Sequence, residues 1–207
     1  AEFEQAIELD PEFGRAHAAI AAVYWQISQR WWHGKFGFAN AHRARAHAET
    51  KLARALRWDT PLAHQLATAM LSQRGNHTEA LAEGAKALAL DPNDADSFAA
   101  LAGALSLAGN AAEALTMIRQ AMRLNPRAPG AYSYQLGLAE FGLGNFTRSA
   151  EALEEAIRLN PDDRWSKRLL VAAYGHLGRI DEVATIVERE GQSWYGTDPF
   201  SVRAATY

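Results

Sequence analysis

The hexapeptide Ala6-Ile7-Glu8-Leu9-Asp10-Pro11 returns as Ala87-Leu88-Ala89-Leu90-Asp91-Pro92, as Ala121-Met122-Arg123-Leu124-Asn125-Pro126 and as Ala156-Ile157-Arg158-Leu159-Asn160-Pro161. A blurred copy, Ala55-Leu56-Arg57-Trp58-Asp59, runs into Thr60-Pro61. The copies begin at 6, 55, 87, 121 and 156, so the successive spacings are 49, 32, 34 and 35 residues. A period near 34 is that of stacked helical hairpins, where no hairpin buries its apolar face alone and each leans on its neighbours. Such arrays build extended binding surfaces more readily than enclosed active sites.

A second phrase recurs out of phase with the first: Gly75-Asn76, Gly109-Asn110, Gly144-Asn145 and Gly178-Arg179, spaced 34, 35 and 34. Each repeat therefore has two stops. A glycine after a helical run suits the left-handed residue that ends a helix, and Asn76, Asn110 or Asn145 is then expected to cap the next helix by accepting an orphan N–H. Asp/Asn-Pro closes the other helix, because proline lacks the N–H of the ladder but fits a following first turn. Between the stops, apolar residues keep helical spacing: Phe98, Leu101, Ala102 and Leu105, then Ala114, Leu115, Ile118, Ala121 and Met122. Strand-like alternation is missing.

From Pro92 to Pro126 the order is large-x2-Leu-small-x2-large, then Ala-x3-large, then Pro, carried by Phe98, Leu101, Ala102, Leu105, Ala114, Ile118 and Pro126. This resembles the tetratricopeptide repeat. The resemblance covers residues 1 to about 190 and implies an all-α, right-handed superhelix of antiparallel helical hairpins. Some copies depart from it: Glu140 stands where a large aromatic is usual, Val171 where a small residue lets helices approach, and 61–92 has few large side chains. The expected layout is a single domain over 1–207. It comprises a lone second helix (1–10), a first repeat (11–59) with an aromatic insertion (25–39), further repeats (60–91, 92–125, 126–160, 161–190) and a cap or tail (191–207). In the tail, Asp198-Pro199 would start a short helix carrying Phe200 and Val202. Because 2–10 reads as a second helix without its mate, the natural chain is expected to extend upstream. The open end is expected to fray or to be covered by another copy, making a homo-oligomer.

Composition narrows the partners. The net charge of −3 speaks against a polyanion as principal ligand, and no apolar run approaches the ~20 residues of a membrane span, so neither nucleic acid nor membrane is expected. Zero cysteines exclude disulfides and thiolate zinc sites. Seven histidines are present, yet His42 and His47 would point about 140° apart on a helix. There is no His-Glu-x-x-His, no phosphate-binding glycine loop and no nucleophile in a sharp-turn motif. The reading is therefore no catalytic residue, no cofactor and no metal. Helix 42–57 sets Arg43, Arg45, Lys51, Arg54 and Arg57 against Glu49, a basic face without the interleaved aromatics of single-strand binders and so read as solvated.

The family resemblance implies that the first helix of each hairpin lines a concave groove. The groove residues would be Arg15, Trp25 and Gln26; Gln65, Ser72 and Gln73; Asp96, Ser106 and Leu107; Tyr134, Leu138 and Phe141; and Trp165, Arg168 and His176. Members that bind chaperone C-termini clamp a carboxylate with Lys and Asn. Ala18 and Ala22 stand at the first-repeat places, so that partner class is not expected. Trp31, Trp32, Phe36 and Phe38 in the insertion form either a local satellite core or a partner-docking lobe. The insertion, the repeat style and the tail also resemble the C-terminal repeat regions of bacterial class III adenylate/guanylate cyclase-like signalling proteins. The expected function is a non-catalytic, cytoplasmic scaffold or regulatory module of a larger bacterial signalling protein, binding a peptide or helix in its groove. A self-association module that oligomerises its parent is the alternative, and an accessory domain that contacts an enzyme's substrate is a third.

Overall fold

The computed structural model describes residues 2–30, 32–127 and 129–195, the side chains of 191–195 excepted. The described residues form eleven α-helices and one 3-10 turn, with no strand. The chain falls into two compact units, 1–128 and 129–207. The first holds α1 (Glu2–Leu9), α2 (Gly14–Gln29), α3 (Ala41–Ala55), α4 (Pro61–Gln73), α5 (His77–Leu90), α6 (Ala95–Leu107) and α7 (Ala111–Leu124). In it α2 pairs with α3, α4 with α5 and α6 with α7, while α2, α4 and α6 pack on one another in sequence. The second holds α8 (Gly130–Gly142), α9 (Phe146–Leu159), α10 (Arg164–His176) and α11 (Ile180–Tyr195), paired α8 with α9 and α10 with α11, with α10 also on α8 and α9.

The glycine stops work through the backbone. Gly75, Gly109, Gly144 and Gly178 have φ of 79°, 86°, 76° and 70°, a region that costs a side-chain-bearing residue roughly 1–2 kcal/mol. At the first stop Gly75 N donates to Ser72 O at 3.1 Å and Asn76 N to Leu71 O at 3.0 Å. This is the double closure of a Schellman turn. It repeats at Asn110 N to Leu105 O (2.8 Å), Asn145 N to Glu140 O (2.9 Å) and Arg179 N to Tyr174 O (3.0 Å). The expectation of asparagine side-chain caps is corrected here: Asn76, Asn110 and Asn145 make no side-chain cap bond. Their contribution is the main-chain N–H turned back onto the finished helix, and Asn145 Nδ2 donates to the buried Glu140 carboxylate at 2.7 Å.

At the other stop the expectation holds at Pro61, which opens α4 behind the Thr60 cap, whereas elsewhere proline sits inside a tight turn. Asp94 N donates to Asp91 O (3.2 Å) and Asp163 N to Asn160 O (3.0 Å), enclosing Pro92 and Pro161. Those turns deliver the true caps. Asp94 accepts from Asp96 N (3.3 Å) and Ser97 Oγ (2.6 Å), and Asp163 from Trp165 N (3.1 Å) and Ser166 Oγ (2.6 Å). Within the aromatic insertion, a 3-10 turn over Trp32–Phe36 leads to α3, which Asn40 caps by accepting from Arg43 N at 3.0 Å.

The core is built largely from alanine. Ala18, Ala21, Ala48, Ala55, Ala63 and Ala67 surround Trp25, Leu52, Leu66 and Met70 in the first unit, and Ala150 and Ala173 accompany Leu153, Leu170 and Tyr174 in the second. Small residues let helix axes approach. A Cβ on Gly137 would come within 2.7 Å of Leu153 Cγ, and Ser149 Oγ donates to Gly137 O across the same contact at 2.8 Å. One polar knot interrupts this packing: His64, buried on α4, meets Glu83 Oε2 on α5 through Nδ1 (2.6 Å) and Asp59 Oδ1 through Nε2 (3.2 Å). Burial alone would raise the Glu83 carboxyl, but hydrogen bonds and charge from Lys86 and His64 together hold it below its ordinary value.

Three alanine substitutions separate the roles of glycine. Gly109→Ala meets nothing within 4 Å but must hold φ +86°, and should destabilise by about 1 kcal/mol. Gly137→Ala overpacks the Leu153 contact and should cost roughly 1–3 kcal/mol. Gly175→Ala, open and inside α10, should stabilise by about 0.5–1 kcal/mol. Urea midpoints read all three, and a harmless Gly109→Ala would show that the stop does not depend on a left-handed residue.

Candidate functional site

In the first unit the first-helix positions divide between free surface and internal bonding. Arg15 and Gln26 on α2 and Gln73 on α4 are exposed. Gln26 Oε1 accepts from Arg30 Nε at 3.2 Å, and Gln73 exchanges amide hydrogen bonds with Gln29 of α2 at 3.0 and 3.3 Å. Gln65 is half-buried and reaches Asp94 and Ser97 Oγ (2.8 Å). Its amide ties α4 to the start of α6. Asp96 is exposed, Ser106 half-buried and Leu107 exposed.

Two groove assignments are corrected. Ser72 is buried and donates to Thr68 O at 2.7 Å. Trp25 is buried too, because the alanines of α2, α3 and α4 leave a space the indole fills; the Arg45 guanidinium lies 5.4 Å from its ring centre. The insertion aromatics behave unequally. Phe38 sits edge-on to Tyr24 (5.7 Å) and His47 (5.2 Å), and Trp32 is half-buried with the Arg30 guanidinium 5.0 Å above it. Phe36 is 56% exposed. Trp31 and the Asp198-Pro199 segment lie outside the described residues. On α3, Glu49 pairs with Arg45 and Arg74.

The second unit gathers its first-helix aromatics. Tyr134 and Phe141, two turns apart on α8, are half-buried against the cluster of Leu153, Leu170 and Tyr174, and Leu138 lies half-buried between them in sequence. Phe141 meets Phe146 edge-on at 5.3 Å and His176 of α10 at 5.6 Å, while His176, itself exposed, stacks flat on Phe146 at 4.0 Å and 2°. Trp165 is 46% exposed at the start of α10, with the Arg168 guanidinium 5.8 Å from its ring centre. Tyr134 and Phe141 on α8 and Trp165 and His176 on α10 thus stand on neighbouring first helices, with Phe146 of α9 stacked at one end. Phe146, directly after the Gly144-Asn145 stop, was not among the groove residues expected from sequence.

Electrostatics mark the same face. Burial, and secondarily the Asp163 charge, push the Tyr134 phenol up to about 12, so it is a neutral contact group rather than a nucleophile at neutral pH. Burial and then the neighbouring Arg168 charge lower the Arg164 guanidinium from its ordinary value. Lys167 is answered by Glu190 at 2.6 Å. Among the described residues Arg168 has no carboxylate at ion-pair distance. A cavity of about 360 Å³ lies elsewhere in this unit, between α9, α10 and α11, floored by Ile157, Leu170 and Ile186. Two of its cations are already matched, Lys167 by Glu190 and Arg158 by Glu155. No group of three or more metal-ligating side chains occurs among the described residues, and none of their helices is long and apolar enough to cross a membrane.

The raised Tyr134 phenol sets a pH dependence. The unfolded chain ionises this group near 10 while the folded chain keeps it protonated to about 12, so stability fully present below pH 10 is lost as pH rises through that window. The melting temperature should fall between pH 10 and 12, and Tyr134→Phe should flatten that fall; equal slopes would place the phenol in water.

Residues 134–195 match the sequence model of the tetratricopeptide repeat. No curated protein matches the sequence significantly. Among solved structures the chain is similar to a thermophilic TPR protein of Thermus thermophilus at 23% identity, covering 88% of this chain and 97% of that one, with a TM-score of 0.64. It is similar to the Cut9–Hcn1 hetero-tetramer of the APC/C at 18% identity, covering 97% of this chain and 37% of that one, TM-score 0.70. The first TPR domain of human RPAP3 aligns at 19% identity over 59% of this chain and 95% of that one, TM-score 0.51. At these identities the structural likeness carries the fold, and the chain is an all-α protein with the tetratricopeptide-repeat fold whose residues 134–195 carry that family's repeat.

Proposed function

We propose that the whole chain is a tetratricopeptide module that binds another protein, and that its second unit takes an extended peptide along the row Tyr134, Leu138, Phe141, Trp165, Arg168 and His176. The observation that carries this reading is that neighbouring first helices carry the exposed Trp165 (α10) and the half-buried Tyr134 and Phe141 (α8). Large, rigid aromatic surface at a groove is the kind of anchor that dominates protein recognition. The first-unit positions Arg15, Gln26 and Gln73 would add polar contacts, with Gln65 bound internally. The module is non-catalytic and acts as a scaffold or regulatory part of a larger bacterial, cytoplasmic signalling protein.

One observation favours a second reading, self-association. Helix α1 has no buried residue, and its Phe3 and Leu9 are 46% and 89% exposed. A second copy covering them would make the module an oligomeriser.

Trp165→Ala decides for the groove. Removing a central aromatic anchor costs about 2 kcal/mol, roughly thirtyfold in affinity, and Trp165 is exposed enough for the melting temperature to hold. Tyr134→Ala and Phe141→Ala should weaken binding but also destabilise, since both pack on the core cluster. An unchanged affinity for Trp165→Ala, measured by calorimetry against a captured partner, would remove the groove reading. Light scattering showing concentration-dependent dimers that vanish on Leu9→Glu would favour the second.

A further inference from the structure

Resting on the groove reading, we infer that the second unit selects peptides by an acidic side chain, held by Arg168 against Trp165, placed about three residues from an apolar side chain seated near Leu138 and Phe141. The first support is charge. The first half of α10 carries three cations: Lys167 is paired with Glu190, Arg164 is partly buried, and Arg168 is exposed with no carboxylate at ion-pair distance among the described residues.

Two acids of this unit are already in use. Asp163 caps α10 by accepting from Trp165 N and Ser166 Oγ, and Glu140 is buried with Asn145 Nδ2 on it. The Arg168 charge itself bears on the buried Arg164 guanidinium, a like-charge pair at i, i+4 that an arriving anion relieves.

The second support is geometry. Arg168 lies with its guanidinium 5.8 Å from the centre of the exposed Trp165 ring. A guanidinium held near an aromatic ring keeps a planar fork of N–H donors that matches a carboxylate. Seven residues along α8 separate Tyr134, level with this pair by its place in the repeat, from Phe141. That is about 10 Å of helix, or about three residues of extended peptide. A side chain seated at the second point meets Leu138, Phe141 and the small neighbours Ala172 and Gly175 rather than another charge.

The test pans short randomised peptides, displayed on phage, against the full chain. The expected result is a motif with Asp or Glu about three positions from Leu, Ile, Met or Phe. Its synthetic peptide should bind about tenfold more weakly to Arg168→Gln, and panning against Arg168→Glu should replace the acid by Lys or Arg. Circular dichroism confirms that both exposed-site variants fold. Apolar motifs with no acid preference would overturn the inference while leaving the groove reading in place. Peptides indifferent to Arg168→Gln and to Trp165→Ala, or no enrichment at all, would overturn both.

Discussion

Two helices of a hairpin approach closely only where one of them offers almost no side chain, and every other feature of this chain follows from that economy of volume. At Gly137 the place of a β-carbon is taken by Leu153 of the partner helix, and at Gly84 by Leu101 of the following one. Elsewhere alanine plays the part. Burial of apolar surface at about 25 cal/mol per Å² then comes in many small portions rather than from a few large side chains. Each hairpin is consequently stable only through the neighbour that covers its remaining face.

A core so thin buries large side chains to different depths, Leu153 and Tyr132 almost wholly and others only in part. Trp25 found room because three helices contribute alanine around it; Tyr134 and Phe141 are sunk only halfway, with their inner edges on Leu153, Leu170 and Tyr174. On the proposed reading, the same residues therefore belong both to the fold and to the binding face. A ligand that covers their outer edges binds the folded state alone and stabilises the second unit by mass action.

The architecture was legible because its punctuation is chemical. A left-handed residue demands glycine, and a chain stop tolerates proline, so both recur visibly at the repeat period. The caps were less legible for the opposite reason. A Schellman turn uses the backbone N–H of whatever follows glycine, as Arg179 shows by replacing asparagine without loss; the asparagines looked like caps only because their side chains resemble those that cap elsewhere. Register was legible to the right helix face but not to the right depth. Trp25 and Ser72 were placed at the surface because depth depends on the volumes of residues on other helices, which periodicity does not record. The charge pattern of the α10 face was hidden likewise, since Lys167 and Arg168 are adjacent in sequence, yet among the described residues Lys167 meets a carboxylate, on α11, and Arg168 does not.

The two units also differ in what their first helices do with polarity. In the first, Gln29, Gln65 and Gln73 spend their amides on one another and on Asp94 and Ser97, holding α2, α4 and α6 together. A ligand there would compete with bonds the protein already makes, and the exchange of one neutral hydrogen bond for another yields little net free energy. In the second, the first helices present rings and, at Arg168, a guanidinium near Trp165 with no carboxylate at ion-pair distance among the described residues. A partner of the proposed kind would cover apolar surface there and bring a carboxylate to Arg168 without first breaking a hydrogen bond of the glutamine network. On the reading proposed above, strong association would therefore be concentrated in the second unit, with the exposed Arg15 and Gln26 of the first adding polar contacts of their own.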